Sequence, residues 1–378
     1  MPLINGPEEF GPNHPTPVQW TSAPTKVCKP DDILYCVRGN TTGRMNIADR
    51  EYCIGRGIAS IRGISGRSDT FFLRYLLNFR NPELYSIARA GGSTFPNLGR
   101  SQSADLPVSI PQSLNEQRAI ARVLEAIQLA KQARQRELAL EQERKDALME
   151  WLFSHGTRGE TTKQTEIGEV PQNWQVAPLR NVCKSSAFGP RFGAELYSEK
   201  GNVAVLRTTD FDDDGNIDYA TVPRAQLELE KFKSHILEPG DFLITRSGTC
   251  GIASVFQGHS MNVLPGAFLI RFRLSSQLSP EFLRHYVNSA TGSHRVQKVA
   301  SGAIQKNLTS TSLLSLCVPI PPPIEQESVN RVAACCNEKI WALECEVQLL
   351  NEAFGAMLEE LMTGRLSAVP LIEKHQPQ

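Results

Sequence analysis

The sequence predicts an α+β protein in which two similar globular domains, each a mixed sheet with helices, are joined by two long helices. Two observations lead to this fold class. One set of short motifs occurs twice in the 378 residues, at a separation of 209 to 210 positions, and such self-similarity indicates a duplicated structural unit. Each copy also ends in a long segment whose apolar residues recur every three or four positions, as in a helix that packs along a partner helix.

Composition excludes several classes of protein. With 40% hydrophobic and 21% charged residues, the chain can form two globular cores. No apolar run reaches the roughly 18 to 20 residues that cross a membrane, and the proline-rich start lacks the basic-then-apolar pattern of a signal peptide. The nine cysteines contain no Cys-x-x-Cys pair, a spacing typical of zinc sites. We therefore expect a cytoplasmic protein with reduced thiols, no membrane association and no metal or other cofactor.

The first repeated motif is a turn, an apolar strand and a glycine-bearing loop. It reads Pro30-Asp-Asp-Ile-Leu-Tyr-Cys-Val-Arg-Gly39 in the first copy and Pro239-Gly-Asp-Phe-Leu-Ile-Thr-Arg-Ser-Gly248 in the second. Later motifs keep the same separation. They are Asn97-Leu98 with Asn307-Leu308, Leu106-Pro-Val-Ser-Ile-Pro111 with Leu316-Cys-Val-Pro-Ile-Pro321, and the helix entries Leu114-Asn-Glu-Gln117 and Ile324-Glu-Gln326.

The second long helix is predicted from Pro323 to about Met362. Prolines precede it and Gly364 follows it, so start and stop signals agree with the periodicity. Its apolar positions form a heptad seam that needs a partner helix along its whole length. The seam residues are Val329, Val332, Cys336, Ile340, Leu343, Val347, Leu350, Phe354, Met357 and Leu361.

The first long helix is predicted over residues 113–157. Ser113 and Glu116 are in capping-box register. The apolar positions that follow are Ile120, Leu124, Ile127, Leu138, Leu148 and Leu152. The middle of this helix is polar at inward-facing positions, whose long side chains can reach solvent; they are Lys131, Arg134, Glu141 and Lys145. A heptad such as 343–349 is expected to face residues 134–140.

The region between the helices predicts a second globular domain that opens at Thr165-Glu-Ile-Gly-Glu-Val-Pro-Gln-Asn-Trp174. Apolar runs predict strands at 203–206, 242–245, 252–256 and 267–274, and a helix at 280–289. These signals divide the chain into a first domain (1–112), a first long helix (113–157), a second domain (158–322), a second long helix (323–366) and a tail (367–378).

The two-copy layout, the two strand-and-glycine-loop motifs and the Pro-Ile-Pro-Pro-Pro-Ile-Glu-Gln helix entry resemble the specificity subunit of type I restriction-modification enzymes. The resemblance covers nearly the whole chain. It implies two target recognition domains that each read half of a bipartite DNA site, related by an internal pseudo-twofold repeat. Two antiparallel coiled-coil helices would separate them and dock DNA methyltransferase subunits and a restriction/translocase subunit. It also implies a subunit with no catalytic residues.

The first copy departs from this pattern at its start. The second copy has about 38 residues between Thr165 and the strand at Val203, whereas the first begins directly at the matching strand, Pro2-Leu-Ile-Asn5. We expect either about 40 further in-frame residues upstream with a Pro-x-x-Trp, by analogy with the second copy, or a shortened first domain with exposed apolar surface.

Charge is uneven along a chain that has no net charge. The first domain has 12 Lys and Arg against 9 Asp and Glu, the second has 17 against 15, and residues 323–378 have 4 against 9. Ten of the twelve basic residues in the first domain are arginine, whose planar fork suits guanine edges and phosphates. The globular domains therefore suit DNA, and the acidic second helix suits a protein partner.

The glycine loops and their neighbours carry the best candidates for base contacts, because glycine lets the backbone approach a groove closely. The candidates are Arg38, Asn40 and Arg44 in the first domain, and Arg207, Arg246 and Lys306 in the second. The same residues are equally consistent with ordinary surface side chains on plain hairpin turns.

Other motifs do not indicate catalysis. Asp210-Phe-Asp-Asp-Asp-Gly-Asn-Ile-Asp218 resembles the start of a calcium loop, but Thr221 stands where the bidentate glutamate belongs, so a solvated turn is expected. Asn81-Pro82 lacks the aromatic residue of an amino-methyltransferase motif, and Glu143-Arg-Lys145 lies in the middle of a helix. No phosphate-binding loop of the Walker type is present.

Three classes of function remain. They are a DNA-recognition subunit, a stand-alone nuclease or methyltransferase, and an orphan or truncated DNA-binding or coiled-coil adaptor without restriction activity. The enzyme class lacks its motifs, and an adaptor has no need of a duplicated, mildly basic module. Neighbouring reading frames for a DNA methyltransferase and a helicase-nuclease would favour the first class.

Overall fold

The computed structural model describes residues 1–90, 95–300 and 307–373, and the chain forms two compact units. The first unit comprises residues 1–136 together with 344–378, and the second comprises residues 137–343. Each unit therefore contains one globular part and one section of each long helix.

The globular part of the first unit contains two small sheets and short helices. Its strands, within the described residues, are β1 (Pro2–Ile4), β2 (Gln19–Trp20), β3 (Val27–Cys28), β4 (Ile33–Cys36), β5 (Met45–Ile47), β6 (Tyr52–Ile54) and β7 (Ile58–Ile61). The sheet orders are β2-β1-β6-β3 and β5-β4-β7. The helices are α1 (Thr70–Phe79), α2 (Asn81–Ala90) and α3 (Arg100–Ala104), followed by the long helix α4 (Leu114–His155), which both units share.

The globular part of the second unit has more strands. They are β8 (Thr162–Thr165), β9 (Gly168–Pro171), β10 (Gln175–Pro178), β11 (Cys183–Phe188), β12 (Val203–Leu206), β13 (Arg224–Ala225), β14 (Phe242–Thr245), β15 (Ala253–Val255), β16 (Val263–Pro265), β17 (Leu269–Leu274) and β18 (Cys317–Ile320). The larger sheets have the orders β11-β17-β14-β15 and β13-β12-β16, and β8-β9 and β10-β18 form pairs. The helices are α5 (Leu229–Phe232), α6 (Pro280–Asn288), α7 (Ala290–Val299) and α8 (Ser310–Leu314), followed by the shared helix α9 (Pro323–Met362) and by α10 (Val369–Glu373) in the first unit.

Several predicted elements are confirmed at or near their predicted bounds. The strands expected at 203–206 and 242–245 are β12 and β14, and the helix expected at 280–289 is α6. Both long helices are confirmed as α4 and α9. The apolar seam of α9 is buried or half-buried throughout, so the heptad pattern identified the packed face.

Polar pairs join α4 to α9 in antiparallel order. They are Lys131–Asn351 and Arg134–Glu346 in the first unit, and Glu141–Lys339 in the second. Residue numbers rise along α4 while they fall along α9 in the first unit, and in the second Leu152 and Val329 share an apolar cluster beyond the Glu141–Lys339 pair. The helices therefore run antiparallel within each unit. This register places 340–346 opposite 134–140, so the expected pairing of 134–140 with 343–349 is wrong by three residues.

Polar side chains in the middle of α4 form ion pairs with other side chains and do not only extend into solvent. Arg134 Nε lies 2.8 Å from Glu346 Oε2, and Lys145, which is 8% exposed, places Nζ 2.8 Å from Asp214 Oδ2. Exposed pairs such as Arg134 with Glu346 contribute roughly 0–1 kcal/mol each. The apolar seam therefore supplies most of the stability of the helix pair, and the ion pairs help to set its register.

Strand β1 of the first unit and strand β12 of the second have equivalent neighbours. β1 pairs antiparallel with β2 and parallel with β6, and β12 pairs antiparallel with β13 and parallel with β16. The sequence match between Pro2-Leu-Ile-Asn5 and the strand at 203–206 therefore corresponds to a matching place in the two sheets.

The turns that precede β4 and β14 are stabilised by equivalent hydrogen bonds to an aspartate. The Asp32 carboxylate accepts a hydrogen bond from the amide three residues before it, at 2.9 Å, and from Arg62. Asp241 accepts from the amide three residues before it and from Arg273 Nε, both at 2.9 Å. Burial alone would raise the pKa of Asp32, but hydrogen bonds from the amide, Ser60 and Arg62 hold that pKa below its usual value. Asp32 is thus kept ionised, and both aspartates are fixed acceptors at the start of their strands.

A buried glutamine ties the start of α4 to the first globular part. Gln117 is fully buried. Its Nε2 donates to the carbonyls of Pro111 at 2.8 Å and Arg67 at 3.1 Å, and its Oε1 accepts from the amide of Asp69 at 2.8 Å. Asp69 caps the N-terminus of α1, so one side chain fixes a loop, a helix cap and the entry of α4.

Gln326 makes the matching contacts at the start of α9. Its Nε2 donates to the carbonyls of Pro321 at 2.7 Å and Gln277 at 2.8 Å, and its Oε1 accepts from the amide of Ser279 at 2.6 Å. Ser279 caps α6. The helix-entry motifs that match in the sequence therefore perform the same structural task in both units.

The apolar cores of the two units differ. In the second unit, Trp174, Leu179 and Val182 belong to one continuous cluster that includes both the central sheet and the long helices. In the first unit, the buried residues around Leu124 form one cluster and those around Tyr35 form another. Trp174, Leu179 and Val182 lie between Thr165 and Val203, in the segment of the second copy that has no counterpart in the first copy.

The described residues contain neither a membrane-spanning helix nor a cluster of metal ligands. No helix there combines the length and the apolar character needed to span a bilayer, and no group of three or more His, Cys, Asp or Glu side chains is placed to hold a metal ion. None of the nine cysteines, all of which lie in the described residues, forms a disulfide; four are buried, four are half-buried, and Cys335 is exposed.

Candidate nucleic-acid interface

The glycine loop of the first unit follows β4 and presents three of the predicted residues. Gly39 and Gly43 have φ values of 78° and 96°, a region that glycine enters without steric cost. These two residues turn the chain between β4 and β5. As a result Arg38, Asn40 and Arg44 are exposed on one short loop.

Arg38 is oriented by an asparagine from a distant part of the chain. Its Nε donates to Asn97 Oδ1 at 3.1 Å, and the two residues also form an antiparallel main-chain bridge. Because Nε makes this bond, the two terminal amino groups of the guanidinium remain available to other acceptors. Such a pair of donors matches O6 and N7 of guanine, or two phosphate oxygens.

The loop after β14 repeats this pair in the second unit. Arg246 Nε donates to Asn307 Oδ1 at 3.2 Å, and the Arg246 guanidinium carbon lies 4.6 Å from the ring centroid of Phe188. Phe188 is 39% exposed, and Phe268, whose carbonyl accepts from the Arg246 amide at 2.9 Å, is 56% exposed. The ring face holds the cation in place, so this loop presents an oriented arginine stacked on the exposed ring of Phe188.

Arg207 has a structural partner. Its Nη2 donates to Asp210 Oδ1 at 2.6 Å and to the Thr221 carbonyl at 2.9 Å. The hydrogen bond to Asp210 raises the pKa of the Arg207 guanidinium. Asp210 is 2% exposed, so the expectation of a fully solvated aspartate turn is wrong at this residue. Since removal of Arg207 would leave a buried carboxylate without its charge partner, Arg207 is a weaker candidate for base contact than Arg38 or Arg246.

The structure does not describe Lys306, which lies outside the described residues. The structure adds three residues to the base-contact candidates predicted from the sequence: Asn97, Asn307 and Phe188. The two asparagines had a signal in the sequence, because they occupy matching places in the repeat. Phe188 had none, because it ends a strand of mainly small and polar residues, Cys183-Lys-Ser-Ser-Ala-Phe188.

The two loops offer one kind of chemistry. Guanidinium groups donate in pairs, asparagine amides both donate and accept, and exposed rings can stack or contact methyl groups. These groups contact bases and phosphates in protein–DNA complexes. The described residues of the loops thus form a candidate nucleic-acid interface in each unit.

A family model matches this chain in two places. The model is the type I restriction modification DNA specificity domain, and it matches residues 22–142 and 171–331. Each match contains one glycine loop and the beginning of one long helix.

Sequence relatives point the same way. The chain is similar to the putative type I restriction enzyme MjaX specificity subunit of Methanocaldococcus jannaschii, with 33% identity over 161 residues that span 43% of this chain and 37% of that protein. It is similar to the MjaVIII specificity subunit of the same organism, with 22% identity over 343 residues that span 89% of this chain and 79% of that protein. Against the EcoKI specificity subunit of Escherichia coli, identity is 24% over 212 residues, which span 53% and 45%. The first and third matches therefore span less than half of those relatives.

Two solved structures share the fold. A chain from a structure on complex assembly and conformational transition of the type I R-M system has a TM-score of 0.62 and 15% identity, and the alignment covers 97% of this chain and 92% of that chain. The type I restriction-modification S subunit from M. genitalium has a TM-score of 0.59 and 16% identity, with coverage of 96% and 88%. At such identities the likeness supports the fold alone, which is the predicted α+β arrangement with two long helices.

Proposed function

This chain belongs to the DNA specificity family of type I restriction-modification systems, and on that premise we propose that each of its two units reads one half of a bipartite DNA site. The single observation that carries the proposal is the duplicated loop, in which an arginine is oriented by an asparagine, Arg38 by Asn97 and Arg246 by Asn307. One such loop reaches only a few base edges, so a duplicated reader is suited to two short, separated sequences.

The mild positive charge of the two globular parts supports the same proposal. Basic residues exceed acidic ones by three in residues 1–112 and by two in residues 158–322. A small excess supplies limited phosphate attraction. We infer that base contacts, and not charge alone, carry much of the affinity for the correct site.

Arg246→Ala is expected to weaken binding of one half-site by about 1–3 kcal/mol, because it removes a paired donor that matches guanine. Arg38→Ala is expected to have the same effect on the other half-site. Binding-site selection from random duplexes, followed by titration of the selected duplex with either half-site scrambled, measures both effects.

Arg331→Ala is the matched control, because Arg331 lies on α9 and its side chain is 74% exposed. It should leave both half-sites unchanged. A uniform loss across all sequences for Arg246→Ala would instead make Arg246 a phosphate contact, and selection of a single continuous site would contradict the bipartite proposal.

We propose further that the long helices dock DNA methyltransferase subunits and a restriction/translocase subunit, in the cytoplasm, and that this chain supplies recognition and no catalysis. In the second unit, Trp341 and Ile324 of α9 are 67% and 70% exposed. Exposed tryptophan is a frequent anchor of protein interfaces, and the acidic excess of residues 323–378 favours a basic partner surface.

Trp341→Ala is expected to reduce co-purification with a DNA methyltransferase encoded beside this chain by at least about tenfold, since an anchoring tryptophan contributes about 2 kcal/mol or more. Trp20→Ala is the matched control, because Trp20 is also 67% exposed but lies on β2. Equal retention of the methyltransferase by both variants would exclude Trp341 as an anchor. Sequence-specific DNA binding without any methyltransferase assembly would favour the adaptor without restriction activity.

A further inference from the structure

The first unit has an open sheet edge where the second unit has a paired one. In the second unit, β17 pairs with β14 on one side and with β11 on the other. β7 holds the matching position in the first unit, because it pairs antiparallel with β4. Within the described residues, β4 is the only strand that pairs with β7.

One carbonyl group illustrates the difference between the two edges. In the second unit, the Leu269 carbonyl accepts a hydrogen bond from the Gly189 amide, which follows β11, at 3.1 Å. In the first unit, the matching Ile58 carbonyl accepts from Lys26 Nζ at 3.0 Å. A flexible side chain therefore occupies an acceptor that a neighbouring main chain occupies in the other unit.

A second unpaired segment lies just before α4. In the second unit, β18 pairs with β10 over four residues, and Val318 is fully buried. The matching segment of the first unit, Leu106-Pro-Val-Ser-Ile-Pro111, forms no strand. Its Val108 and Ile110 are 48% and 40% exposed, so apolar side chains that are suited to a core face outward.

The glutamate at the start of each long helix gives a third difference. Glu325 is 7% exposed and accepts hydrogen bonds from Asn173 Nδ2 at 2.7 Å and Trp174 Nε1 at 2.6 Å. Glu116, at the matching position, is half-buried, and its described contact is with the Ser367 hydroxyl at 3.4 Å. The carboxylate is present in the first unit without the indole and amide donors.

The open edge and the unpaired segment line one groove of about 770 Å³ in the first unit. Its apolar lining includes Ile58, Leu77, Leu98, Leu106 and Val108. In the second unit, all three missing partners come from one continuous segment, residues 173–189. Leu179 and Val182 of that segment join an apolar cluster that also contains residues of both long helices.

We propose that this surface of the first unit is a docking groove for an extended polypeptide segment with the chemistry of residues 173–189, supplied from outside residues 1–378. The segment begins with an Asn-Trp pair that donates hydrogen bonds to Glu116. A first strand then pairs with residues 107–110. A second strand pairs with β7 and displaces Lys26 from the Ile58 carbonyl. Strand addition of this kind combines main-chain hydrogen bonds with side-chain pockets. A second copy of this chain is a poor donor, because its own Trp174 is fully buried.

A labelled synthetic peptide of residues 171–190, titrated into the full chain and followed by fluorescence anisotropy, tests the proposal. Saturable one-to-one binding is expected, together with slower hydrogen exchange of the β7 amides. A peptide with Trp174→Ala is expected to bind at least about tenfold more weakly, because it lacks the ring and the hydrogen bond to a carboxylate.

Val108→Asp in the protein is expected to weaken peptide binding at least about tenfold, because it places a carboxylate against an apolar wall. Val18→Asp is the matched control, since Val18 is 69% exposed and does not line the groove. Circular dichroism checks that both variants remain folded. Absence of saturable binding, or binding that Val108→Asp leaves unchanged, overturns the proposal. Dimerisation of the chain through a contact that Val108→Asp abolishes would identify a second copy as the occupant and would overturn it too.

Discussion

Trp174→Ala is expected to lower the free energy of unfolding of the second unit by about 3–5 kcal/mol, as the loss of a large buried aromatic side chain does. Trp174 is fully buried, and its ring centroid lies 5.8 Å from that of Phe282 in an edge-on contact. Its indole also donates to Glu325, so alanine leaves a buried carboxylate with one donor fewer. Urea unfolding followed by circular dichroism measures the loss, and hydrogen exchange of the β14 amides assigns it to the second unit.

Two further variants control this experiment. Trp341→Ala removes the same side chain from a site that is 67% exposed, and should change stability by no more than about 0.5 kcal/mol. Trp174→Phe keeps an aromatic ring near Phe282 and isolates the share of the hydrogen bond to Glu325. A loss below about 1 kcal/mol for Trp174→Ala, no larger than an average substitution causes, would contradict the role of Trp174 as the link within this core.

Removal of one heptad from each long helix is expected to shorten the preferred gap between DNA half-sites, with the half-site sequences unchanged. The observed register defines the deletion as residues 134–140 together with 340–346, which leaves the Lys131–Asn351 and Glu141–Lys339 pairs in place. Seven residues at about 1.5 Å each shorten a helix by about 10 Å. At about 3.4 Å per base-pair step, the gap should shrink by roughly three base pairs.

Binding-site selection on the shortened protein provides the measurement. Deletion of 134–140 alone is the control, since it moves α4 by one heptad against α9 and should lower stability without giving a new preferred gap. Three base pairs also rotate one half-site by roughly 100° about the DNA axis, at about 10.5 base pairs per turn, so some loss of affinity is expected. Selection of the original gap would mean that helix length does not set the spacing.

The sequence predicted the long helices well because their signals are local. A seam repeated every three or four residues, a proline start and the stop at Gly364 placed α9 at its observed bounds. Strands β12 and β14 were equally clear, because β12 consists of four buried apolar residues and β14 of three followed by the buried Thr245. The repeat also matched Gln117 with Gln326, although the hydrogen bonds of these two side chains depend on carbonyls and amides from distant segments.

Other features could not be predicted because they depend on long-range partners. β11 contains mostly small and polar residues, and it is a strand because β17 offers an edge to it; strand preference depends strongly on such context. Asp210 looked like part of a solvated turn, but it is buried and paired with Arg207, a contact that the sequence pattern does not show. The base-contact candidates remain predictions, since their use depends on the shape of a bound DNA.

The division of α9 between the units has a consequence for how the chain folds during synthesis. The second unit is continuous, residues 137–343, whereas the first needs residues 344–378 as well as 1–136. Leu361 and Met362 belong to the apolar cluster that includes Ile120 and Leu124. A ribosome that has just added Leu343 has therefore synthesised everything that the second unit requires, while the first unit still lacks residues 344–378. Domains usually fold in order from the N-terminus; here the domain that is made first is completed last.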